Sequence, residues 1–180
     1  MQHSELVHQC KANDRKAQLT LYKQYCDGMK CVAMRFIDDG DDAEDVVQEA
    51  FIKAFQRISQ FKAEVSFGAW LKRIVVNQSL DFIKAKKVTN IAIDDSYLEF
   101  SEDSSWEVED EATVDEVKHS ILSLPEKYRF VVQLFLVEGY DHAEISEILG
   151  ISETASRTRL MRGKALVKAS LKKMNYGTGS

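Results

Sequence analysis

Residues 153–173 carry Arg157, Arg159, Arg162, Lys164, Lys168, Lys172 and Lys173 against a single acid, Glu153. Guanidinium and ammonium groups at this density suit phosphate oxygens, and a well-placed arginine also makes paired hydrogen bonds to a base edge. Such chemistry needs a rigid carrier with one face buried and one face free. Ser156, Leu160, Gly163 and Val167 recur at the helical spacing that defines an inner stripe. Arg157 and Arg159 flank that stripe, within reach of phosphates, while Thr158, Met161 and Arg162 lie largely opposite it, where a groove would be. A solvated basic helix in an ordinary bundle would carry the same charge, so the preceding elements decide between the two.

Those elements are punctuated in the chain. Pro125 suits a first helical turn, where its missing N–H has no partner to lose. Gly139 supplies the left-handed residue that ends that helix. Asp141 and Glu144 have the spacing of a capping box, and Tyr140 and Ile145 that of a hydrophobic staple. Gly150 then ends a short helix and Ser152 caps the next. A short capped helix, a glycine turn and a longer basic helix make a helix-turn-helix, with the second helix expected in a DNA groove.

Two further constellations lie in the first half. Ala43, Val46, Val47, Ala50, Phe51, Ala54, Phe55 and Ile58 form an unbroken amphipathic helical stripe. The acids Asp41, Asp42, Glu44 and Asp45 at its start complement the helix dipole. Asp45, Gln48 and Glu49 carry the polar patch further along the outer surface, which suits a basic partner. After residues 59–65, Ser66 caps a helix expected to run to about Lys87. Phe67, Trp70, Leu71, Ile74 and Val75 form its inner face, and Lys72, Arg73, Lys84, Lys86 and Lys87 make it basic. Aromatics among bases can form a platform for unpaired nucleotides. Trp70, at helical spacing, reads as core; Phe61, in the loop, is the better candidate to touch a base.

The chain of 180 residues is 44% hydrophobic, with one proline and eight glycines, which favours an all-α protein. Its net charge of −5 is unevenly distributed. Residues 1–87 and 113–180 each carry +2, whereas residues 88–112 hold nine acids and no base. The expected organisation is two small helical domains, at 1–88 and 113–174, joined by an acidic linker at 89–112 and followed by a tail at 175–180. Ile91, Ile93, Tyr97, Leu98, Phe100 and Trp106 give the linker more apolar surface than a spacer needs, so part of it is expected to dock. No apolar stretch is long enough to cross a bilayer and no secretory signal is visible, so membrane insertion is not expected and a cytoplasmic location is. Cys10, Cys26 and Cys31 lack C-x-x-C spacing and read as buried reduced thiols. No metal site, cofactor, nucleophile–base pair or glycine-rich phosphate loop is expected, which argues against an enzyme and a small-molecule substrate. His119 and His142 read as isolated surface or cap-adjacent residues.

Taken together, these motifs resemble the small two-domain sigma factors of the extracytoplasmic-function group. The resemblance rests on Asp42-Ala43-Glu44-Asp45-Val46-Val47-Gln48-Glu49-Ala50-Phe51, on Phe67-Gly68-Ala69-Trp70-Leu71-Lys72-Arg73-Ile74 with Asn77 and Asp81, and on the helix-turn-helix. It implies that Asp45, Gln48 and Glu49 contact core RNA polymerase. It places Phe61, Lys62, Asn77 and Lys84 at the −10 promoter DNA, and Arg157, Thr158, Arg159, Met161 and Arg162 at the −35 element. It also implies an anti-sigma factor as a partner and a linker that threads into nucleic-acid channels of the polymerase. Ser156 and Gly163 depart from the family's usual bulky aliphatic residue and alanine, and Thr154-Ala155 from its usual Gly-Thr. The recognition helix is therefore expected to pack less firmly, by about 1 kcal/mol for the glycine. Two other classes fit parts of the pattern: a stand-alone helix-turn-helix regulator, and a helical protein that pairs only with another protein.

Overall fold

The computed structural model describes residues 2–88 and 112–177, with side chains described over 4–86 and 112–174. All regular structure among them is helical. The chain forms two compact units, Met1–Asp94 and Asp95–Ser180. The acidic linker expected at 89–112 lies, apart from Ala112, outside the described residues.

The first unit contains α1 (Gln2–Lys11), α2 (Arg15–Ala33), α3 (Gly40–Gln56), a 3-10 turn (Ile58–Gln60) and α4 (Phe67–Val88). Asp14 caps α2 by accepting from the Lys16 and Ala17 N–H groups at 2.7 and 3.1 Å. Asp39 caps α3 in the same way through Asp41 and Asp42. The expected stripe of α3 is inward: Ala43, Val46, Val47, Ala50, Phe51 and Ala54 are buried against α2 and α4. Phe55 is half-buried. Ile58 is buried too, but from the 3-10 turn, because the helix has already ended at Arg57. Ser66 accepts from the Ala69 N–H at 3.2 Å and starts α4 where expected. Of the three cysteines only Cys10 is buried, which raises its thiol pKa, helped by the negative charge of Asp14. Cys26 is half-buried and Cys31 exposed, so the expectation of three buried thiols holds for one.

The second unit contains α5 (Val114–Leu122), α6 (Glu126–Val132), a π-helical turn (Gln133–Val137), α7 (His142–Leu149) and α8 (Glu153–Gly177). Thr113 and Glu116 form a capping box on α5. Pro125 stands at the N-cap of α6, one residue earlier than a first-turn proline. The π-helical turn is not visible in the hydrophobic period. There the Glu138 N–H reaches back five residues to the Gln133 carbonyl at 3.0 Å. Gly139 at φ +78° then lets the Tyr140 N–H close on the Leu134 carbonyl at 2.9 Å. Val131, Val132, Leu134, Ile145 and Val167 form the fully buried centre. Burying each such side chain contributes about 1.5–3 kcal/mol. The backbone of α8 continues to Gly177, into residues read from the sequence as tail.

Candidate nucleic-acid interface

In the second unit, the turn between α7 and α8 is fastened by one serine. Gly150 takes φ +64° and its N–H donates to the Ser146 carbonyl. The Ser146 hydroxyl donates to the Ile151 carbonyl at 2.5 Å, and the Ile151 N–H returns to the Ser146 carbonyl at 3.2 Å. The expected capping box is formed: Asp141 accepts from the Glu144 N–H at 2.8 Å, and Glu144 from the Asp141 N–H at 2.9 Å. Tyr140 and Ile145, expected to staple the helix start, are both buried. Ser152 caps α8 through the Ala155 N–H at 3.1 Å.

The inner stripe of α8 is inward as expected, with Ser156, Leu160, Gly163 and Val167 all buried. Two of these residues have partners that the sequence conceals. A Cβ on Gly163 would lie 2.5 Å from Val132 Cγ2 and 3.5 Å from Tyr128 Cβ. The glycine therefore allows close approach of α6 and α8, and the expectation that it loosens the helix is corrected. The hydroxyl of Ser156 lies 2.8 Å from His142 Nδ1, and the imidazole stacks on Phe135 with centroids 4.8 Å apart. His142 is thus not isolated. Burial, followed by the nearby Arg157 charge, lowers its pKa and favours the neutral ring.

On the outer side, Met161 is 46% exposed and Arg157 is exposed, while Thr158, Arg159 and Arg162 are half-buried. The Arg157 guanidinium pairs with Glu153 at 2.9 Å. The Thr158 hydroxyl donates to the Thr154 carbonyl at 3.0 Å, leaving its oxygen to accept. These five side chains belong to the first three turns of one rigid helix, the geometry that a groove-reading element requires.

In the first unit, the acids of α3 divide into separate roles. Asp39 spends its carboxylate on backbone N–H groups, which hold its pKa low. Asp42 pairs with Lys86 at 2.8 Å, and Glu44 with Lys30 at 2.7 Å. Glu49 accepts from the Gln78 amide of α4 at 2.6 Å, and Lys53 donates to the carbonyl oxygen of that amide. An internal bond therefore explains part of what the sequence assigned to a partner at Glu49. Asp45 and Gln48 are exposed, and nothing among the described residues pairs with their side chains. Gln48 borders a groove of about 630 Å³ shared with Leu19, Tyr22, Phe51, Ile52 and Phe55. Leu19 and Ile52 are 53% and 57% exposed. Sequence periodicity passes over them because each falls outside the inner stripe of its helix.

Phe61 requires a correction. Its ring is only 7% exposed and packs against Phe67 and Trp70, with centroids 5.8 and 5.3 Å away. It is a wall of the core rather than an open platform, and half-buried Trp70 belongs to the same cluster. Lys11, absent from the sequence reading, donates to the Phe61 carbonyl at 2.7 Å and lies 5.8 Å from the ring centroid. A pocket of about 330 Å³ opens beside them, lined also by His8, Lys62 and Ser66. Lys62 is exposed there. Asn77 and Lys84 are exposed on α4, two turns apart along one face with Asp81 between them.

Residues 21–89 match the family described as Sigma-70 region 2, and residues 115–167 match Sigma-70, region 4. The chain is 30% identical over 177 residues to the ECF RNA polymerase sigma factor SigW of Bacillus subtilis (strain 168), covering 92% of this chain and 95% of the relative. It is 31% identical over 149 residues to the RNA polymerase sigma factor SigZ of the same organism, covering 82% and 83%. Among solved structures, CnrH in complex with the cytosolic domain of CnrY shares the fold at a TM-score of 0.58 and 22% identity, covering 95% of this chain and 97% of that one. RpoE bound to the anti-sigma factor NepR, from Bartonella quintana, has the same TM-score at 18% identity, covering 85% and 95%. With both sigma regions in order along one chain, and with relatives of this closeness over nearly its whole length, the protein belongs to the extracytoplasmic-function group of RNA polymerase sigma factors.

Proposed function

We propose that the surfaces of this sigma factor divide promoter recognition by unit. In the first, Asp45 and Gln48, with the apolar groove at Leu19 and Ile52, grip core RNA polymerase, and Glu49 joins them when it exchanges its Gln78 bond. Lys62, Asn77 and Lys84 contact the −10 DNA, with Phe61 as the wall of the adjoining pocket. In the second, Arg162, Thr158 and Met161 read the −35 major groove while Arg157 and Arg159 hold phosphates. The chain performs no catalysis of its own and acts in the cytoplasm, where the polymerase is. Opening of the promoter draws on binding to unstacked bases of one strand, favoured at weakly stacked steps. An anti-sigma factor is a fitting regulator, since the two solved structures named above each hold a protein partner and one of those partners is an anti-sigma factor.

The observation that carries this reading is the outer face of α8, cationic and presented by a helix whose inner face is packed without a gap at Gly163. Run-off transcription with bacterial core polymerase across a promoter library tests it. Selective transcripts that depend on both −10 and −35 sequence are expected. Tight sequence-specific DNA binding without polymerase, and no polymerase-dependent transcript, would support a stand-alone regulator instead.

A further inference from the structure

Ser156 sits fully buried within an apolar stripe, where a hydroxyl is costly unless it is bonded. Its partner is His142, the first residue of α7, at 2.8 Å. The ring of His142 stacks on Phe135 of the π-helical turn at an interplanar angle of 27°. One imidazole therefore ties together the π-helical turn, the start of α7 and the first turn of α8. Ser156 directly precedes Arg157 and Thr158 in the chain. We infer that His142 is a positioning residue for −35 reading: through Ser156 it sets the rotation and height of α8, so that Arg157 and Thr158 meet the DNA in register. The inference rests on the proposed assignment of α8 to the −35 element.

The physical basis is directionality. An aliphatic side chain at position 156 would fill the same space but leave the helix free to rotate slightly against α7. A hydrogen bond between a stacked ring and a buried hydroxyl restricts that rotation. The charged groups that face the ring are Arg157, Lys164 and Glu153 of α8 and Asp141 at the cap of α7. Burial and the two cations outweigh the two acids, so the ring is neutral at pH 7 and its bond to Ser156 draws no formal charge into the core.

The test compares full-length His142→Ala, His142→Asn and Ser156→Ala with the unaltered chain, each bound to core polymerase. Run-off transcription is measured on promoters that differ by single −35 base pairs, alongside the melting temperature. His142→Ala and Ser156→Ala are each expected to reduce discrimination among −35 sequences roughly five-fold, the scale of one lost hydrogen bond. The double variant should be no worse than either single one. His142→Asn, which keeps a hydrogen-bonding atom near the Nδ1 position, should recover part of the discrimination, and selection among −10 sequences should not change. Lower melting temperatures with −35 discrimination intact would overturn the inference and leave His142 a packing residue. Ser156→Ala removes one oxygen, so it remains decisive if His142→Ala fails to fold. Arg162→Ala, run in parallel, separates the two levels. If it relaxes −35 preference while the His142 and Ser156 variants do not, only the positioning role fails. If it too leaves the preference unchanged, the assignment of α8 falls and the inference with it.

Discussion

Glu49 and Asp45 lie one helical turn apart on the same polar surface, yet they should respond differently to substitution. Asp45 is exposed and engaged with nothing among the described residues, so Asp45→Lys should weaken core-polymerase binding and leave the melting temperature nearly unchanged. Glu49→Lys should weaken binding too, but it also removes the acceptor of the Gln78 amide and places a cation near Lys53. A stability loss of about 1 kcal/mol is expected, the scale of one net hydrogen bond. Equal melting temperatures for the two variants, read by thermal denaturation, would show that the Gln78 bond contributes nothing. On α8, Arg162→Ala should lose about 1–3 kcal/mol on the preferred −35 sequence and relax preference at one or two base pairs. Arg159→Ala should weaken all sequences alike and reduce the dependence of binding on salt. Titrations over a salt series would distinguish the two, and identical sequence-independent losses would remove the division between base-reading and phosphate-holding side chains.

At the scale of the element, α8, the proposed reading helix, is backed by the close approach of α6. Gly163 makes that approach possible, and its effect on stability runs against helix propensity. Alanine in place of glycine favours an isolated helix by about 1 kcal/mol. Here the added Cβ would meet Val132 Cγ2 at 2.5 Å, and overpacking of this kind costs about 1–3 kcal/mol. Gly163→Ala is therefore expected to lower the melting temperature, and Val132→Ala in the same chain to recover part of the loss. An increase in melting temperature for Gly163→Ala alone would show that α6 yields more readily than this geometry implies. The π-helical turn that follows Val132 belongs to the same construction. It carries Phe135 to the His142 ring and brings the chain to Gly139, where the left-handed residue releases it toward α7.

For the whole molecule, charge and pH act on separate parts of the chain. Nine acids within residues 88–112 separate two stretches, 1–87 and 113–180, that carry +2 each, so in the isolated protein they are expected to compete with DNA for basic surfaces at high effective concentration. Neutralising Glu102, Asp103, Glu107, Glu109, Asp110 and Glu111 should raise the affinity of the free protein for promoter DNA in mobility-shift assays and lower transcription by the holoenzyme at matched salt. Unchanged affinity of the free protein would reduce the segment to a solvated tether. Acid should destabilise the fold in two windows. His142 has a folded pKa below its ordinary value of about 6.5, so the unfolded chain takes up that proton first. Its contribution is fully present above about pH 6.5 and is lost as pH falls toward the folded value. Asp39, Glu44 and Glu116, whose carboxyl pKa values are lowered by hydrogen bonds, lose their contributions only in the carboxylate range, below about pH 4.5. Thermal melts from pH 7.5 downward should show the first loss in the unaltered chain and a smaller one in His142→Asn.

Local chemistry determined much of this protein from its sequence. The Asp141–Glu144 capping box, the left-handed turns at Gly139 and Gly150, the Ser152 and Ser66 caps and the inner stripes of α3 and α8 are short-range, so a few neighbouring residues specify them. The same locality kept Arg157, Thr158, Arg159, Met161 and Arg162 off the buried stripe of one helix, with Arg157 and Met161 exposed and the other three half-buried. Tertiary structure decided whatever depends on contact between different elements. Phe61 looks like a loop aromatic until Phe67 and Trp70 close around it. Glu49 looks like a partner-binding acid until Gln78, on another helix, donates to it. Gly163 and Ser156 look like weak points in a packing stripe until Val132 and His142 occupy the space beside them. Periodicity states which face of a helix turns inward, but only the packed core determines which side chain meets it there, because steric fit and directed hydrogen bonds depend on distances that no sequence spacing encodes.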